Sequence, residues 1–138
     1  MASRLNPYLN FAGQAREAMA FYQSVFGGEL TSMSFAEGGM PHDPAEQDLV
    51  MHSQLETPAG FTLMASDVPS GHGEAQANGS ISLSGDDEAE LRGYWDALAA
   101  GGSITEPLAE APWGDSFGML VDRFGTPWLV NINAGRQG

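Results

Sequence analysis

Phe21-Tyr22-Gln23-Ser24-Val25-Phe26-Gly27-Gly28 and Tyr94-Trp95-Asp96-Ala97-Leu98-Ala99-Ala100-Gly101-Gly102 are two versions of one signal. Each opens on an aromatic pair late in a helix-like stretch and ends at a double glycine, and the two lie about half a chain apart. That spacing predicts a duplicated module. In each half a strand precedes the helix and further strands follow, so the chain reads as α+β, two βαβββ repeats over about 4–68 and 78–134. Together they are expected to form one domain whose mixed sheet curves into a cup, with the helices on its convex side.

Composition bounds what such a cup can hold. With 138 residues and 42% hydrophobic content there is enough chain for one domain with a real core and too little for two independent ones. Five Lys and Arg against eighteen Asp and Glu leave a net charge of −13. This field repels phosphate backbones and anionic lipid, so neither nucleic acid nor membrane is an expected partner. No apolar run approaches the ~20 residues of a membrane span, and the Met1-Ala2-Ser3-Arg4 start leads straight into a strand, so a cytoplasmic protein is expected. With no cysteine there is no thiol nucleophile and no thiolate metal site, which leaves His, Asp, Glu and amide side chains for chemistry.

Along the chain, strands are expected at Leu5 to Phe11, Glu29 to Ala36, Leu49 to Glu56, Phe61 to Ser66, Ser80 to Ser84, Ser103 to Leu108, Phe117 to Asp122 and Pro127 to Asn133. Helices are expected at Gln14 to Phe26, where Ala15, Ala18, Met19, Tyr22 and Phe26 share a face, and at Asp86 to Ala100 behind an acidic first turn. Glu37 to Pro44, with Gly38, Gly39 and Pro41, reads as a loop and a candidate lid, and Asp67 to Asn78 as the linker between halves.

The strands alternate in character. Leu5, Leu9 and Phe11 oppose Asn6, Tyr8 and Asn10; Leu49, Met51 and Leu55 oppose His52, Gln54 and Glu56. In the second half Ile81 and Leu83 oppose Ser80, Ser82 and Ser84, and Trp128, Val130 and Ile132 oppose Leu129, Asn131 and Asn133. One face is therefore oily and takes the helices. A half-solvated antiparallel sheet gives the same alternation. The polar face, however, carries Asn, Gln, Ser, Tyr and His rather than Lys, Glu and Thr, and neutral donors and acceptors suit a partly enclosed ligand site.

Pro7-Tyr8-Leu9-Asn10-Phe11, Ala15-Arg16-Glu17-Ala18, Phe21-Tyr22, Phe26-Gly27-Gly28, Val50-Met51-His52 and Leu63-Met64-Ala65-Ser66-Asp67 resemble the PhnB-like branch of the vicinal oxygen chelate superfamily, the glyoxalases, bleomycin resistance proteins and dioxygenases. The second half agrees through Gly101-Gly102, Pro112-Trp113-Gly114-Asp115, Asp122-Arg123-Phe124-Gly125 and Trp128, with Arg123 standing where the branch usually has proline. The resemblance implies paired βαβββ modules, often in a homodimer, and in most of the superfamily's enzymes a divalent metal held by one side chain from each of four cup strands. By motif position those places fall near Asn6, His52, Ser80 and Leu129, of which only His52 is a good ligand. A catalytic divalent ion needs about three suitable protein ligands, so no metal and no cofactor are expected. Glu56 does not repair the set, since four residues along a strand span about 13 Å. Sequences of this branch are sometimes labelled methyltransferases, but no glycine-rich turn follows a parallel first strand here.

The leading expectation is thus a protein that binds a small molecule in a metal-free cup lined by Asn6, Tyr8, Asn10, His52, Gln54, Ser80, Ser82, Trp113 and Asn131. His52 is the one candidate catalytic residue, able to act as base or donor near neutral pH; its alternative is a histidine bonded across the sheet. A metal-dependent lyase, isomerase or dioxygenase built on His52 is the second reading, and an acidic module that recruits a basic partner is the third. His42 and His72 are read as solvated loop residues, Asp67 as a turn cap, Trp128 as core, and Met33, Met40, Met51, Met64 and Met119 as core filler. Trp113, in a turn, is expected to cover a pocket mouth or a subunit interface.

Overall fold

The computed structural model describes residues 6–38, 44–68 and 78–133. Leu5, Met40, His42, His72 and most of the expected linker fall outside them. The chain divides into two compact units that meet between Ala77 and Asn78. The first runs β1 (Tyr8–Phe11), α1 (Ala15–Phe26), β2 (Glu29–Ser34), α2 (Phe35–Gly38), a 3-10 turn at Pro44–Glu46, β3 (Val50–Glu56) and β4 (Thr62–Asp67). The second runs β5 (Ile81–Gly85), α3 (Glu88–Ala99), β6 (Ser103–Glu110), β7 (Ser116–Val121) and β8 (Pro127–Ile132). Their sheets are built alike, in the orders β1-β4-β3-β2 and β5-β8-β7-β6. In each, the first strand pairs parallel with the last and the other pairings are antiparallel, so both sheets are mixed.

The two units repeat each other at the level of single hydrogen bonds. The β3–β4 turn is closed by Thr57 N–H to the Phe61 carbonyl and Gly60 N–H to the Thr57 carbonyl, both 3.0 Å. The β7–β8 turn is closed in the same way by Asp122 N–H to Thr126 and Gly125 N–H to Asp122, both 2.9 Å. The second glycine of each Gly-Gly pair lies against that same turn. A Cβ on Gly28 would strike the Glu56 carbonyl oxygen and the Thr57 backbone, and one on Gly102 would strike the Val121 carbonyl oxygen and the Asp122 backbone. The second glycine of each pair is therefore dictated by packing of the chain after each helix onto the hairpin it passes, and the first, at φ 74° in Gly27 and 78° in Gly101, by the left-handed backbone that ends the helix.

Each helix covers one face of its own sheet. Ala15, Ala18, Met19, Tyr22 and Phe26 form the buried stripe of α1, as their spacing predicts, and Leu91, Trp95 and Leu98 do so for α3. They meet Leu9, Phe11, Leu55, Leu63 and Ala65 in the first sheet, and Leu83, Leu120, Trp128, Val130 and Ile132 in the second, all buried. Trp128 is core, as expected, and its indole N–H donates to Asp122 Oδ2 at 2.8 Å.

Several boundaries and one face differ from the sequence reading. The strand at Glu29 stops at Ser34 because Ser34 and Glu37 form a reciprocal capping box: Glu37 N–H donates to Ser34 Oγ (3.1 Å) and Ser34 N–H to Glu37 Oε1 (2.9 Å). Phe35 to Gly38 is consequently helical, where Ala36 was read as strand and Glu37-Gly38 as loop. In β3, Ser34 pairs with Val50 and Met33 with His52, so Met51 is an extra residue in a bulge. The bulge reverses the alternation. Val50 is fully buried, while Leu49 and Met51, expected on the oily face, are only half-buried; past the bulge Leu55 faces the core as read, with Ser53 buried beside it. Met33 and Met119 are 43% and 37% exposed, so the expectation that they fill the core is overturned; both sit on the face turned away from the helix.

Asp67 does more than cap a turn. Its Oδ1 accepts from Gly13 N–H and Ala15 N–H, both at 2.9 Å, and its Oδ2 from Val50 N–H at 3.0 Å, with the side chain buried. Gln14, at the start of α1, makes no side-chain cap, so a carboxylate from the end of β4 serves instead and places its charge at the positive end of the helix.

Two outcomes test these contacts by urea denaturation. Asp67→Asn sets an amide donor against a backbone N–H and should cost about 1–3 kcal/mol, and Asp67→Ala more. Gly28→Ala and Gly102→Ala should each cost more than Gly60→Ala, which has a positive φ but open space around it and should cost about 1 kcal/mol.

Candidate functional site

The face of each sheet turned away from its helix holds the residues singled out by sequence. On the first sheet, register aligns Tyr8 with Met64, Met64 with Gln54, and Gln54 with Thr31, while the flanking row of Leu9, Ala65 and Ser53 is buried beneath. Asn10 lies two residues beyond Tyr8 on the same face, half-buried, and Asn6 is half-buried just before the strand. His52 follows the Met51 bulge, paired with Met33. Its ring leans across the sheet until it is 6.1 Å from the ring of Tyr8, at an interplanar angle of 31°. Tyr8 is 46% exposed. This face thus brings an imidazole and a phenol together with amide groups and three thioethers, Met33, Met51 and Met64, around them.

None of the described arginines lies in a strand. Arg16 donates to the Asp48 carbonyl, Arg92 pairs with Glu88 one helical turn away, and Arg123 donates through Nε and Nη2 to the Ala100 carbonyl at the end of α3. The chain has no lysine, so the strands contribute no ammonium group either. At one end of the open face Glu29 and Glu56 stand directly opposite each other, both exposed. Among the described residues of this face, His52 and the amides of Asn10 and Gln54 are donors, and no arginine adds a fixed positive charge.

On the second sheet Ser82, Leu129 and Met119 form one row of the open face, and Ser84, Asn131 and Phe117 the next. Ser82 is exposed, Asn131 is half-buried, and Ser80 is exposed just before β5. Trp113 sits in the turn before β7, 60% exposed, with its ring 6.2 Å from Phe117. Asn131 Nδ2 donates to Asp115 Oδ2 at 3.2 Å and to Asn133 Oδ1 at 3.1 Å. The nine expected site residues therefore form two groups, Asn6, Tyr8, Asn10, His52 and Gln54 on the first unit and Ser80, Ser82, Trp113 and Asn131 on the second. Sequence reasoning missed Asp115, Phe117 and the open-face methionines. The alternation of β7 and β8 could have found Phe117, since Gly118 and Val130 take the core positions beside it.

Comparison with known proteins decides the family. A sequence model of the glyoxalase/bleomycin resistance protein/dioxygenase superfamily matches residues 4–130. The chain belongs to that superfamily. Within it, the chain is 33% identical to protein YjdN of Escherichia coli (strain K12), over 93% of this chain and 94% of that one. Its fold matches the crystal structure of protein PA1353 from Pseudomonas aeruginosa with a TM-score of 0.82 and 40% identity, over 96% and 99% of the two chains. The PhnB protein from Bacillus cereus matches with a TM-score of 0.73 and 26% identity, over 95% and 100%, so the superfamily member is PhnB-like. The paired βαβββ architecture is thereby that of the glyoxalase fold.

The donor set does not fit the metal of the superfamily's enzymes. Of the residues near which the resemblance puts the four ligand places, Asn6, His52, Ser80 and Leu129, only His52 is a good ligand and Leu129 has no donor atom. Among the described residues no three His, Asp or Glu side chains come together in a way that could hold an ion. No helix among them is long and apolar enough to cross a membrane.

Among the described residues, Glu37 in the capping box beside Met33 is a carboxyl whose titration is displaced. The Ser34 amide first, its hydroxyl second, and Arg16 last hold Glu37 below the ordinary carboxylate value. Because the folded value is the lower one, the stability this contact contributes is complete above the ordinary range and is lost as the pH falls through the lowered value. In an NMR titration the Ser34 amide resonance should move with that lowered midpoint, and Ser34→Ala should return the Glu37 carboxyl towards its ordinary value.

Proposed function

We propose that this PhnB-like superfamily member binds a small molecule on the open faces of its sheets without a divalent metal. The observation that carries the reading is the Tyr8–His52 pair: two rings 6.1 Å apart on the open face, flanked by Asn10 and Gln54, with His52 the one good ligand among the residues that the resemblance puts near the metal places. Such a face offers hydrogen bonds and polarisable surface to a neutral or cationic ligand. His52 and Tyr8 orient that ligand; Asn6, Asn10 and Gln54 supply further donors and acceptors. A homodimer, the family's frequent assembly, belongs to the same proposal.

The metal-dependent reading, a lyase, isomerase or dioxygenase with His52 as ligand, needs the missing donors from water, substrate or the segment around His42. What speaks for it is His52 itself, a good ligand near one of the places that the resemblance assigns to the metal. Elemental analysis of untagged protein purified without chelators separates the two. The metal-free reading expects well under one ion per chain, before and after incubation with zinc, iron, manganese or nickel, together with a ligand found by thermal-shift screening. For that ligand His52→Ala should weaken binding about tenfold or more, as loss of one buried hydrogen bond implies. Near-stoichiometric metal, with His52→Ala abolishing it, would establish the alternative; a broad library without a single thermal shift would sink ligand binding.

A further inference from the structure

Asp115 resolves which way the Asn131 amide points. A carboxylate only accepts hydrogen bonds, so the atom of Asn131 that faces Asp115 Oδ2 must be the nitrogen. The same nitrogen donates its second proton to Asn133 Oδ1. Both N–H groups are thus committed within the protein. The carbonyl oxygen, Oδ1, makes no hydrogen bond among the described residues and remains as an acceptor on the open face, directly opposite Phe117. Asp115 itself is 7% exposed, and its backbone carbonyl accepts from Ala111 N–H at 2.7 Å, which fixes the turn that presents the carboxylate to the amide; a flipped Asn131 would set its carbonyl oxygen against two acceptors, Asp115 Oδ2 and Asn133 Oδ1. Beside this locked acceptor stand the rings of Trp113 and Phe117, with the serine hydroxyls of Ser82 and Ser84 on β5.

We infer that Asn131, Trp113 and Phe117 form a subsite for a planar ring that carries an N–H donor on its edge, with Asp115 as the residue that sets this preference. The inference rests on the reading that the open faces take a small molecule, and it specifies the chemistry of that molecule at this point. The rings supply stacking surface. The locked amide supplies an acceptor, and because it cannot turn over, a ring with an acceptor or a methyl at that edge leaves Asn131 Oδ1 unpaired. No arginine lies in the strands of this unit, so an anionic ring gains nothing here.

Indole and 1-methylindole, identical in shape apart from the donor, are the probes. They are titrated into 15N-labelled full-length protein while the Trp113 Nε1–H and Asn131 Nδ2 resonances are followed. Trp95 and Trp128 are buried, which makes Trp113 the indole that an added ring reaches. Indole should shift both resonances with about tenfold higher affinity than 1-methylindole, the worth of one such hydrogen bond. Asp115→Asn lets the amide turn over and should bring the two probes to within about twofold, while Trp113→Ala, at an exposed position that leaves the fold intact, should weaken both. Equal affinities for the two probes in the wild-type protein would overturn the inference, as would shifts confined to the Tyr8 and His52 face; the second result leaves ligand binding by the protein standing. Should Asp115→Asn not fold, the wild-type probe pair and Trp113→Ala decide by themselves.

Discussion

The buried carboxylate of Asp67 is the constraint on which the first unit depends. It ends β4, caps the start of α1 through Gly13 and Ala15, and takes the first backbone N–H of β3 at Val50. Three elements distant in sequence are thereby tied at one point, through backbone donors that all converge on one buried side chain. Its placement has a consequence for the candidate site. With Val50 held by Asp67 and the rest of β3 in register with β4 from Ser53 onward, the strand has one residue too many for its pairing with β2, and Met51 bulges out. His52 comes straight after that bulge, which is where a strand re-aims a side chain most cheaply.

The second unit uses the same topology with a different carboxylate. Ile132 ends β8 where Asp67 ends β4, and α3 is capped from its own N-terminus by Asp87, whose side chain accepts from Glu90 N–H at 3.0 Å. The buried carboxylate sits instead in the hairpin turn, at Asp122, holding Phe124, Thr126 and the Trp128 indole. Duplication has kept the backbone contacts, the Gly-Gly passage over the hairpin and the turn hydrogen bonds, while each half anchors its core through its own acid. The open faces diverge further. One presents an imidazole and a phenol; the other presents an aromatic pair and an amide whose direction is set by Asp115.

Helix positions, strand order along the chain and the duplicated frame were legible because they follow from local periodicity and from glycines whose reason is steric. The five-residue stripe of α1 and the oily faces of β1, β5 and β8 stand where the alternation put them. The short helix after β2 was not legible, since Ser34 and Glu37 make a capping box whose signal is buried in a glycine-rich stretch that reads as loop. Nor was the face of Met51, because a bulge is decided by how two strands end, not by the residue within it. Of the site, the polar alternation pointed to Tyr8, Asn10, His52, Gln54, Ser82 and Asn131, whereas Asp115 and Phe117 were hidden in a turn and on an apolar-looking strand.

The sequence by itself determined the two βαβββ repeats, the acidic character and the lack of any thiol, because these are properties of residue identity and of spacing within a few turns or strands. Only the tertiary structure decided that Tyr8 reaches His52, that Asp67 caps a helix fifty-two residues before it, and that Asp115 turns the Asn131 amide. Each of these joins side chains from elements far apart in the chain, and the partner in such a contact is selected by sheet register and burial, which no local pattern encodes.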